Sequence, residues 1–432
     1  MSKKSELKIK IERINNKAEG IAQISSNLLN KGFLSIPYTL PDELVSINIT
    51  NIKKNSSHST FNKIIKPSPN RKNHDCSHFT KCGGCLLQHW YFDKYIDWKL
   101  NLLLNPIRKI SPITIVKKIQ VANNHSRRRC KIFVKKTQSG FYIGFKSYKS
   151  NEIINIFDCV ILDPEILNLI KKLTPLLKEN MSIREEMVIH INKLDAGFDF
   201  LLELNKNFKF NDFNYLSYFC NSNNVVRFSV RKKNHKSELI GLFDKTALTI
   251  GNSNIYMLPP PGGFFQATQL AEKVILEQIF FTIGQNKNLK ILDLFSGSGT
   301  FTLPLLSLKH HVCSVDFNQE SINSLVTASK EQNIFNNLNT ITQNLAKDKL
   351  DFDFLKIFDL AIVDPPRSGA KLQFIQLAEA RIPKIISISC DLNTFLKDTE
   401  ILLKKSYKLK SILPIDQFLF TRHLETIGIF EL

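Results

Sequence analysis

The chain has 432 residues, 43% of them hydrophobic and 23% charged, and a formal net charge of +20. That length holds two or three domains with ample core, and it contains no uncharged apolar run of the roughly 18 residues that span a membrane. The N-terminus, Met1-Ser2-Lys3-Lys4, shows no apolar leader core, so the cytoplasm is the expected compartment. The charge is uneven, because residues 101–150 carry twelve Lys and Arg and no Asp or Glu. Such a stretch calls for an anionic partner, nucleic acid before a membrane surface. Eight cysteines in a cytoplasmic chain point to metal or catalysis rather than to disulfides.

Residues 7–11 alternate apolar and basic side chains, the period of a half-buried strand. Residues 21–24, 32–36 and 44–49 read as further strands, with a turn at 15–20. Four or five short strands within residues 1–60 predict a small, OB-like β-barrel, a shape used to bind RNA. Glu19-Gly20-Ile21-Ala22, Phe33-Leu34-Ser35-Ile36-Pro37 and Leu40-Pro41-Asp42-Glu43 resemble the TRAM domain of RNA-modifying enzymes. Residues 55–73 are polar and basic and read as a linker or exposed loop.

Cys76, Cys82 and Cys85 then fall within ten residues, with Gly83-Gly84 between the last two. A C-x2-C pair sets two thiolates on one side of a tight turn, and the glycines leave backbone N–H groups to face sulfur. With a fourth ligand from Cys130, Cys159 or Cys220, the set suits an iron–sulfur cluster or zinc. Residues 86–115 carry Trp90, Tyr95, Trp98 and Leu102 in helical rhythm. Residues 127–134 and 141–145 read as the two strands of a hairpin across residues 137–140. Arg127, Arg128 and Arg129 at its start are the local candidates for RNA phosphate contacts, against the alternative of a solvated basic edge strand. Asp163-Pro164 opens a helix, and residues 186–250 read as alternating strands.

Pro259-Pro260-Pro261-Gly262-Gly263 marks a boundary, and a helix follows Phe264-Phe265-Gln266-Ala267-Thr268. From there the chain reads as a doubly wound α/β sheet. Ile291-Leu292-Asp293-Leu294-Phe295 is a buried strand, Ser296-Gly297-Ser298-Gly299 a glycine turn, and residues 301–306 a helix start. The next strand ends in Asp316, near the spacing at which an acid meets nucleoside ribose hydroxyls. A third strand ends in Asp364-Pro365-Pro366-Arg367, and a fourth in Ser389-Cys390. Ligands of such sheets sit at the carboxyl ends of the strands, so a thiol at Cys390 can attack a ligand there. Glu425 precedes the final strand, where burial would make it basic enough to act as a base.

Cys76 through Cys85, Phe265-Gln266, residues 293–301, Asp364-Pro365-Pro366-Arg367, Ser389-Cys390 and His423-Leu424-Glu425 jointly resemble the RNA uracil-5-methyltransferase family, specifically its TRAM-bearing, iron–sulfur 23S rRNA branch. The resemblance implies a class I methyltransferase sheet over residues 260–432. It implies a central α+β iron–sulfur and RNA-binding domain over residues 74–255, whose helix near 90–110 is a candidate to pack on the catalytic domain. It implies S-adenosylmethionine against Gln266, Phe295, Gly297, Gly299, Asp316 and Asp364. It further implies a [4Fe-4S] cluster on Cys76, Cys82, Cys85 and Cys159, Cys390 as nucleophile and Glu425 as proton acceptor. The expected partner is RNA, 23S rRNA before tRNA, with no membrane and no obligate protein partner. A catalytically inactive RNA-binding assembly protein is the reading from another class, and retention of Cys390 and Glu425 speaks against it. Thr268, Ser296, Thr300, Asp316 and Asp391 depart from the family's usual residues; Asp391 would raise the pKa of the neighbouring thiol, and a cofactor contact at Thr300 is not expected.

Overall fold

The computed structural model describes residues 6–24, 32–48, 59–183, 185–204, 214–232 and 235–432. By packing, the chain divides into two compact units, one of Met1–Leu103, Lys146–Ile154 and Phe418–Arg422, the other of Leu104–Phe145, Asn155–Gln417 and His423–Leu432. Most of the expected central segment therefore belongs to the same unit as the doubly wound sheet, where the sequence suggested three separate domains. Among the described residues no helix is long and apolar enough to cross a membrane.

In the first unit, alternation puts Ile9 inside while Lys8 and Lys10 stay in reach of water. Strands Glu6–Lys10, Leu44–Asn48 and Phe61–Lys66 form one antiparallel sheet, and Arg13–Ile14, Glu19–Gln23 and Phe33–Pro37 a second. Ile9, Ile11, Ala22, Ile24, Leu34, Ile36, Val45 and Ile47 make one core shared by both. The single barrel expected here is thus two three-stranded sheets on a common core. Phe61–Lys66 corrects the linker reading of residues 55–73: its polar side chains belong to a strand with one exposed face. Ile49 and residues 55–58 of those readings lie outside the described residues.

Two buried acids pin this unit. Glu43 accepts from the Arg71 guanidinium and from the Leu40 and Ser68 N–H groups. Glu19 accepts from Ser35 Oγ (2.6 Å), Tyr148 Oη (2.8 Å) and Lys149 Nζ (2.6 Å). Burial would raise the Glu19 carboxyl, but the bonds from Lys149, Ser35 and Tyr148 outweigh it and bring it to about 2.

The second unit holds two sheets. In the first, strands run in the order Gly140–Lys146, Arg129–Thr137, Glu186–Lys193, Phe198–Leu204, Val225–Lys232 and Glu238–Leu242. Phe198–Leu204 and Val225–Lys232 are parallel, and the connection between them includes the helix Asn214–Ser222. The sequence reading placed only strands there. Helix Pro164–Asn180 is capped by Asp163, which accepts the Glu165 N–H, and its Ile166, Leu169, Ile170, Leu173 and Leu177 enter the core under this sheet.

The other sheet runs Leu338–Thr342, His311–Asp316, Lys290–Leu294, Leu360–Val363, Lys384–Ser389, Glu425–Glu431, Lys408–Asp416. The first five are parallel, and Glu425–Glu431 is antiparallel to both of its neighbours. Parallel strands buried on both faces read as continuous apolar runs, which is why four of the five were legible. This topology fixes the site. The parallel strands deliver their carboxyl ends to one edge, and the reversed strand brings its amino end, Glu425, to that same edge.

Candidate active site

The glycine turn is shaped by backbone geometry. Gly297 has φ +55° and Gly299 φ +89°, a region that costs side-chain-bearing residues energy. A Cβ on Gly299 would lie 2.4 Å from Leu325 Cδ1, whereas one on Gly297 would meet nothing within 4 Å. The loop is therefore tight against the side chains of Leu325 and Leu303, both on helices, at Gly299 and open at Gly297. Phe295 also sits at φ +62°, a strained conformation for an aromatic residue and one that clusters at ligand sites. Nothing in the sequence signals it. The Asp316 carboxylate holds the turn, accepting the Gly297 N–H (3.0 Å) and the Asn318 N–H (2.8 Å). Each oxygen retains further acceptor capacity.

Asp293 lies beneath the turn with its Oδ2 accepting from Thr302 Oγ1 at 2.6 Å. Burial, opposed by Thr302 and reinforced by Asp316, pushes its carboxyl up to about 7. Thr300 Oγ1 points elsewhere, to Met257 Sδ (3.6 Å), and Thr268 caps helix Gln269–Ile283 by accepting the Ala271 N–H. Both departures from the family pattern thus have structural partners.

Cys390 and Glu425 are brought together by strand register. Ser389 pairs with Thr426 across Lys384–Ser389 and Glu425–Glu431, and one step further along an antiparallel ladder Cys390 faces Glu425. Burial, then the charges of Glu425 and Asp364, push the Cys390 thiol up to about 12, with Arg367 pulling the other way. Cys390 is thereby held as a protonated thiol. The Asp391 carboxylate caps helix Leu392–Lys404, accepting the Asn393 N–H (3.0 Å) and Thr394 N–H (3.3 Å). The leading charges on the thiol come instead from Glu425 and Asp364 on neighbouring strands.

Asp364 and Glu425 form a facing carboxyl pair. Burial raises both, Glu425 and Asp293 raise Asp364 further, and hydrogen bonds from Gln266 to Asp364 and from Gln417 to Glu425 oppose the rise. Gln266 Nε2 donates to Asp364 Oδ2 at 3.1 Å. Gln417, which no motif marked, donates through Nε2 to Glu425 Oε2 (2.7 Å) and to Gln266 Oε1 (3.0 Å), and accepts the Ala267 N–H (3.1 Å). Glu425 and Asp293 act on Asp364, and Asp316 acts on Asp293, so this edge gathers acids that favour an incoming positive charge. Gln266, Phe295, Gly297, Gly299, Asp316 and Asp364, the residues expected around the methyl donor, lie at or beside it.

The three arginines separate. Strand Arg129–Thr137 lies inside its sheet, so the edge-strand alternative fails. Arg128 is buried. Its guanidinium meets Glu272 Oε2 at 2.5 Å, donates to the Gln266 carbonyl at 3.1 Å and stacks 5.0 Å over Phe265. A side chain so engaged does not reach phosphate, which corrects that expectation for Arg128. Arg129 lies 4.2 Å over the ring of Phe264, itself 61% exposed. Burial, with Arg127 and Arg128 adding to it, pushes Arg129 down to about 9. Arg127 is partly buried and bridges to Leu162 in a parallel contact.

In the first unit the Cys76–Cys85 stretch turns on itself, the Cys82 N–H bonding the His78 carbonyl (2.9 Å) and the Gly84 N–H donating to Cys82 Sγ (3.4 Å). Burial and then the charges of Cys82 and Cys85 raise the Tyr38 hydroxyl. The N–H on Cys82 Sγ is a thiolate-stabilising feature. Among the described residues, however, no group of three or more His, Cys, Asp or Glu is gathered so as to hold a metal ion. Cys159, in the second unit, is partly buried beside Cys130, and Cys220 is buried in the apolar core.

A family model described as tRNA (Uracil-5-)-methyltransferase matches residues 98–431. An RNA methyltransferase of Brucella melitensis biotype 1, described as uncharacterized, is 28% identical over 98% of this chain and 97% of its own length. The 23S rRNA (uracil(1939)-C(5))-methyltransferase RlmD of Shewanella sediminis is 28% identical over 98% of this chain and 95% of its own. Among solved structures, the tRNA (uracil-54, C5)-methyltransferase of Pyrococcus abyssi, in complex with S-adenosyl-L-homocysteine, shares the fold with a TM-score of 0.70 at 18% identity, covering 98% of this chain and all of that one. With the family model matching most of its length, the chain belongs to the tRNA (uracil-5-)-methyltransferase family and is an S-adenosylmethionine-dependent RNA (uracil-5-)-methyltransferase.

Proposed function

We propose that the chain methylates C5 of a uridine in 23S rRNA, with Cys390 as nucleophile and Glu425 as base. The observation that carries this reading is the strand register that sets Cys390 against Glu425 at the edge where the glycine turn, Asp316 and Asp364 also end. Uracil C5 is too weak a nucleophile to take a methyl group unaided. The Cys390 thiol loses its proton to solvent water and its sulfur adds to C6, moving the C5–C6 π electrons toward the C4 carbonyl as an enolate. S-adenosylmethionine, when bound, supplies an electrophilic methyl on sulfonium. C5 takes that methyl, Glu425 removes the C5 proton, and the C6–S bond breaks to restore the ring and Cys390. The base must leave its stack to reach such a site.

The roles follow from environment. Buried Glu425 has a raised pKa, so it accepts a proton readily once ionised. Cys390 rests as a thiol among acids, so its thiolate is favoured when positive charge arrives beside Asp364. The choice of 23S rRNA is supported by the resemblance and by the Shewanella relative, similar over nearly the whole chain. A tRNA target is the second reading, favoured by the likeness to the Pyrococcus tRNA methyltransferase.

We also retain a [4Fe-4S] cluster as a proposal. It is supported by the spacing of Cys76, Cys82 and Cys85, by the N–H on Cys82 Sγ, and by the resemblance, which makes Cys159 the fourth ligand. Anaerobic purification giving brown protein with about four irons per chain supports it; colourless protein with zinc or no metal overturns it. The target is tested with labelled S-adenosylmethionine on unmodified 23S rRNA and tRNA in parallel. Label at C5 of one rRNA uridine is expected, and label confined to tRNA overturns the substrate while leaving the chemistry.

A further inference from the structure

Gln417 is the last residue of the segment Asn155–Gln417 in the second unit, one position after the strand Lys408–Asp416, and it is 3% exposed. A buried primary amide must place two donors and an acceptor. Here one backbone group decides its orientation. The Ala267 N–H can only donate, so the oxygen of Gln417 faces it at 3.1 Å. The amide nitrogen is thereby turned toward Glu425 Oε2 (2.7 Å) and Gln266 Oε1 (3.0 Å). Gln266 in turn presents its nitrogen to Asp364 Oδ2 (3.1 Å). A single chain of hydrogen bonds, Glu425–Gln417–Gln266–Asp364, thus joins the base to the residues expected to hold the methyl donor.

We infer that Gln417 is a positioning residue for the methyl-transfer reaction, fixing the Glu425 carboxylate as a proton acceptor and fixing the amide of Gln266 toward Asp364. This rests on the assignment of Glu425 as base. The physical ground is that an N–H donated to a carboxylate oxygen stabilises the ionised form, the form that takes the C5 proton. The other titratable groups around Glu425 are Asp364 and Cys390, with Arg367 acting on Cys390 and Asp293 on Asp364. All but Arg367 are acids, and the Gln417 amide donates to Glu425 against its protonation. Charge-assisted bonds are the strong class, and losing this one raises the carboxyl by about one pH unit.

The consequence is specific to one step. Addition of Cys390 and methylation of C5 do not need an ionised Glu425, whereas removal of the C5 proton does. Keeping Glu425 protonated therefore leaves RNA joined to Cys390 through C6 with the methyl already on C5.

The test compares Gln417→Met, which keeps length and volume without the donor, Gln417→Ala, and Glu425→Gln in the full chain, using unmodified 23S rRNA and S-adenosylmethionine. For Gln417→Met the expected results are a denaturation-resistant RNA–protein adduct at pH 7, its decline at pH 9, and an alkaline shift of about one unit in the rising limb of the rate. Glu425→Gln should hold the adduct at every pH. Gln417→Met showing the parent's pH profile and no adduct, while Glu425→Gln accumulates adduct, overturns the role of Gln417 and leaves the base assignment standing. Glu425→Gln turning over without adduct removes the base assignment, and the role of Gln417 falls with it. A general loss of rate with no pH dependence in both Gln417 variants marks a purely structural residue and also overturns the inference.

Discussion

Replacing Arg128 by methionine separates two accounts of the arginine run. Methionine keeps an unbranched stem against Phe265 and removes only the guanidinium. What is lost is a buried ion pair to Glu272 Oε2 at 2.5 Å and a bond to the Gln266 carbonyl at 3.1 Å. Removing one partner of a buried pair costs about 3–5 kcal/mol, because the other charge is left without compensation. Glu272 is fully buried but keeps the Gly251 N–H at 3.0 Å on its other oxygen, so the loss should fall near the lower end, about 3 kcal/mol. Urea unfolding reads it as a lower midpoint. Binding of single-stranded rRNA fragments at several salt concentrations gives the second reading, since each phosphate contact contributes about 0.7 to the slope of log K against log salt. An unchanged slope with reduced stability is expected for Arg128→Met. A slope smaller by about 0.7 with the unfolding midpoint unmoved would refute the reasoning and return Arg128 to the RNA interface.

Other outcomes follow from the same contacts. Asp293 has its carboxyl raised from 3.8 to about 7, so its contribution to stability is complete below about pH 4 and is lost as pH rises through about 7. Melting curves of Asp293→Asn and the parent should therefore diverge in the variant's favour between pH 4 and pH 8, and parallel curves would contradict this. Asp199 clamps the turn before Phe264, accepting from Arg227 Nε (2.7 Å) and the Gly262 N–H (2.9 Å). Asp199→Ala should cost about 3–5 kcal/mol in urea unfolding, with Asp199→Asn, which keeps an acceptor for Gly262, losing less. Cys390 is held as a thiol chiefly by burial and by Glu425, so peptide mapping after iodoacetamide should find it modified slowly at pH 7, faster as pH rises, and faster in Glu425→Gln. Unchanged labelling in that variant would mean the two side chains do not sense each other.

Much of the doubly wound sheet could be read in advance because its central strands are buried on both faces. Residues 291–294, 360–363 and 385–388 are unbroken apolar runs apart from Asp293 and Ser387, and the proposed site residues follow them. Leu338–Thr342 was not legible, since it is an edge strand in which Asn339, Thr340 and Thr342 alternate with half-buried apolar residues. Phe61–Lys66 was hidden for a similar reason, with three polar positions in a strand of six. Arg128 was misread because its partner lies 144 residues away, and local charge density carries no information about such pairing. The cap formed by Asp391 was not legible, because its carboxylate turns to the helix N-terminus, where backbone N–H groups claim it. Gln417 was missed because a neutral amide has no diagnostic spacing, and its role is visible only once three chain segments meet around it.

The most direct test of the central claim is a trapping experiment with 23S rRNA carrying 5-fluorouridine. Fluorine at C5 leaves no proton for Glu425 to remove, so addition and methylation proceed and elimination stops. With S-adenosylmethionine present, the account predicts an RNA–protein complex that survives denaturing electrophoresis, maps to Cys390 by mass spectrometry, and vanishes in Cys390→Ala. Absence of any such complex with the parent enzyme, or its persistence in Cys390→Ala, would contradict Cys390 as the nucleophile.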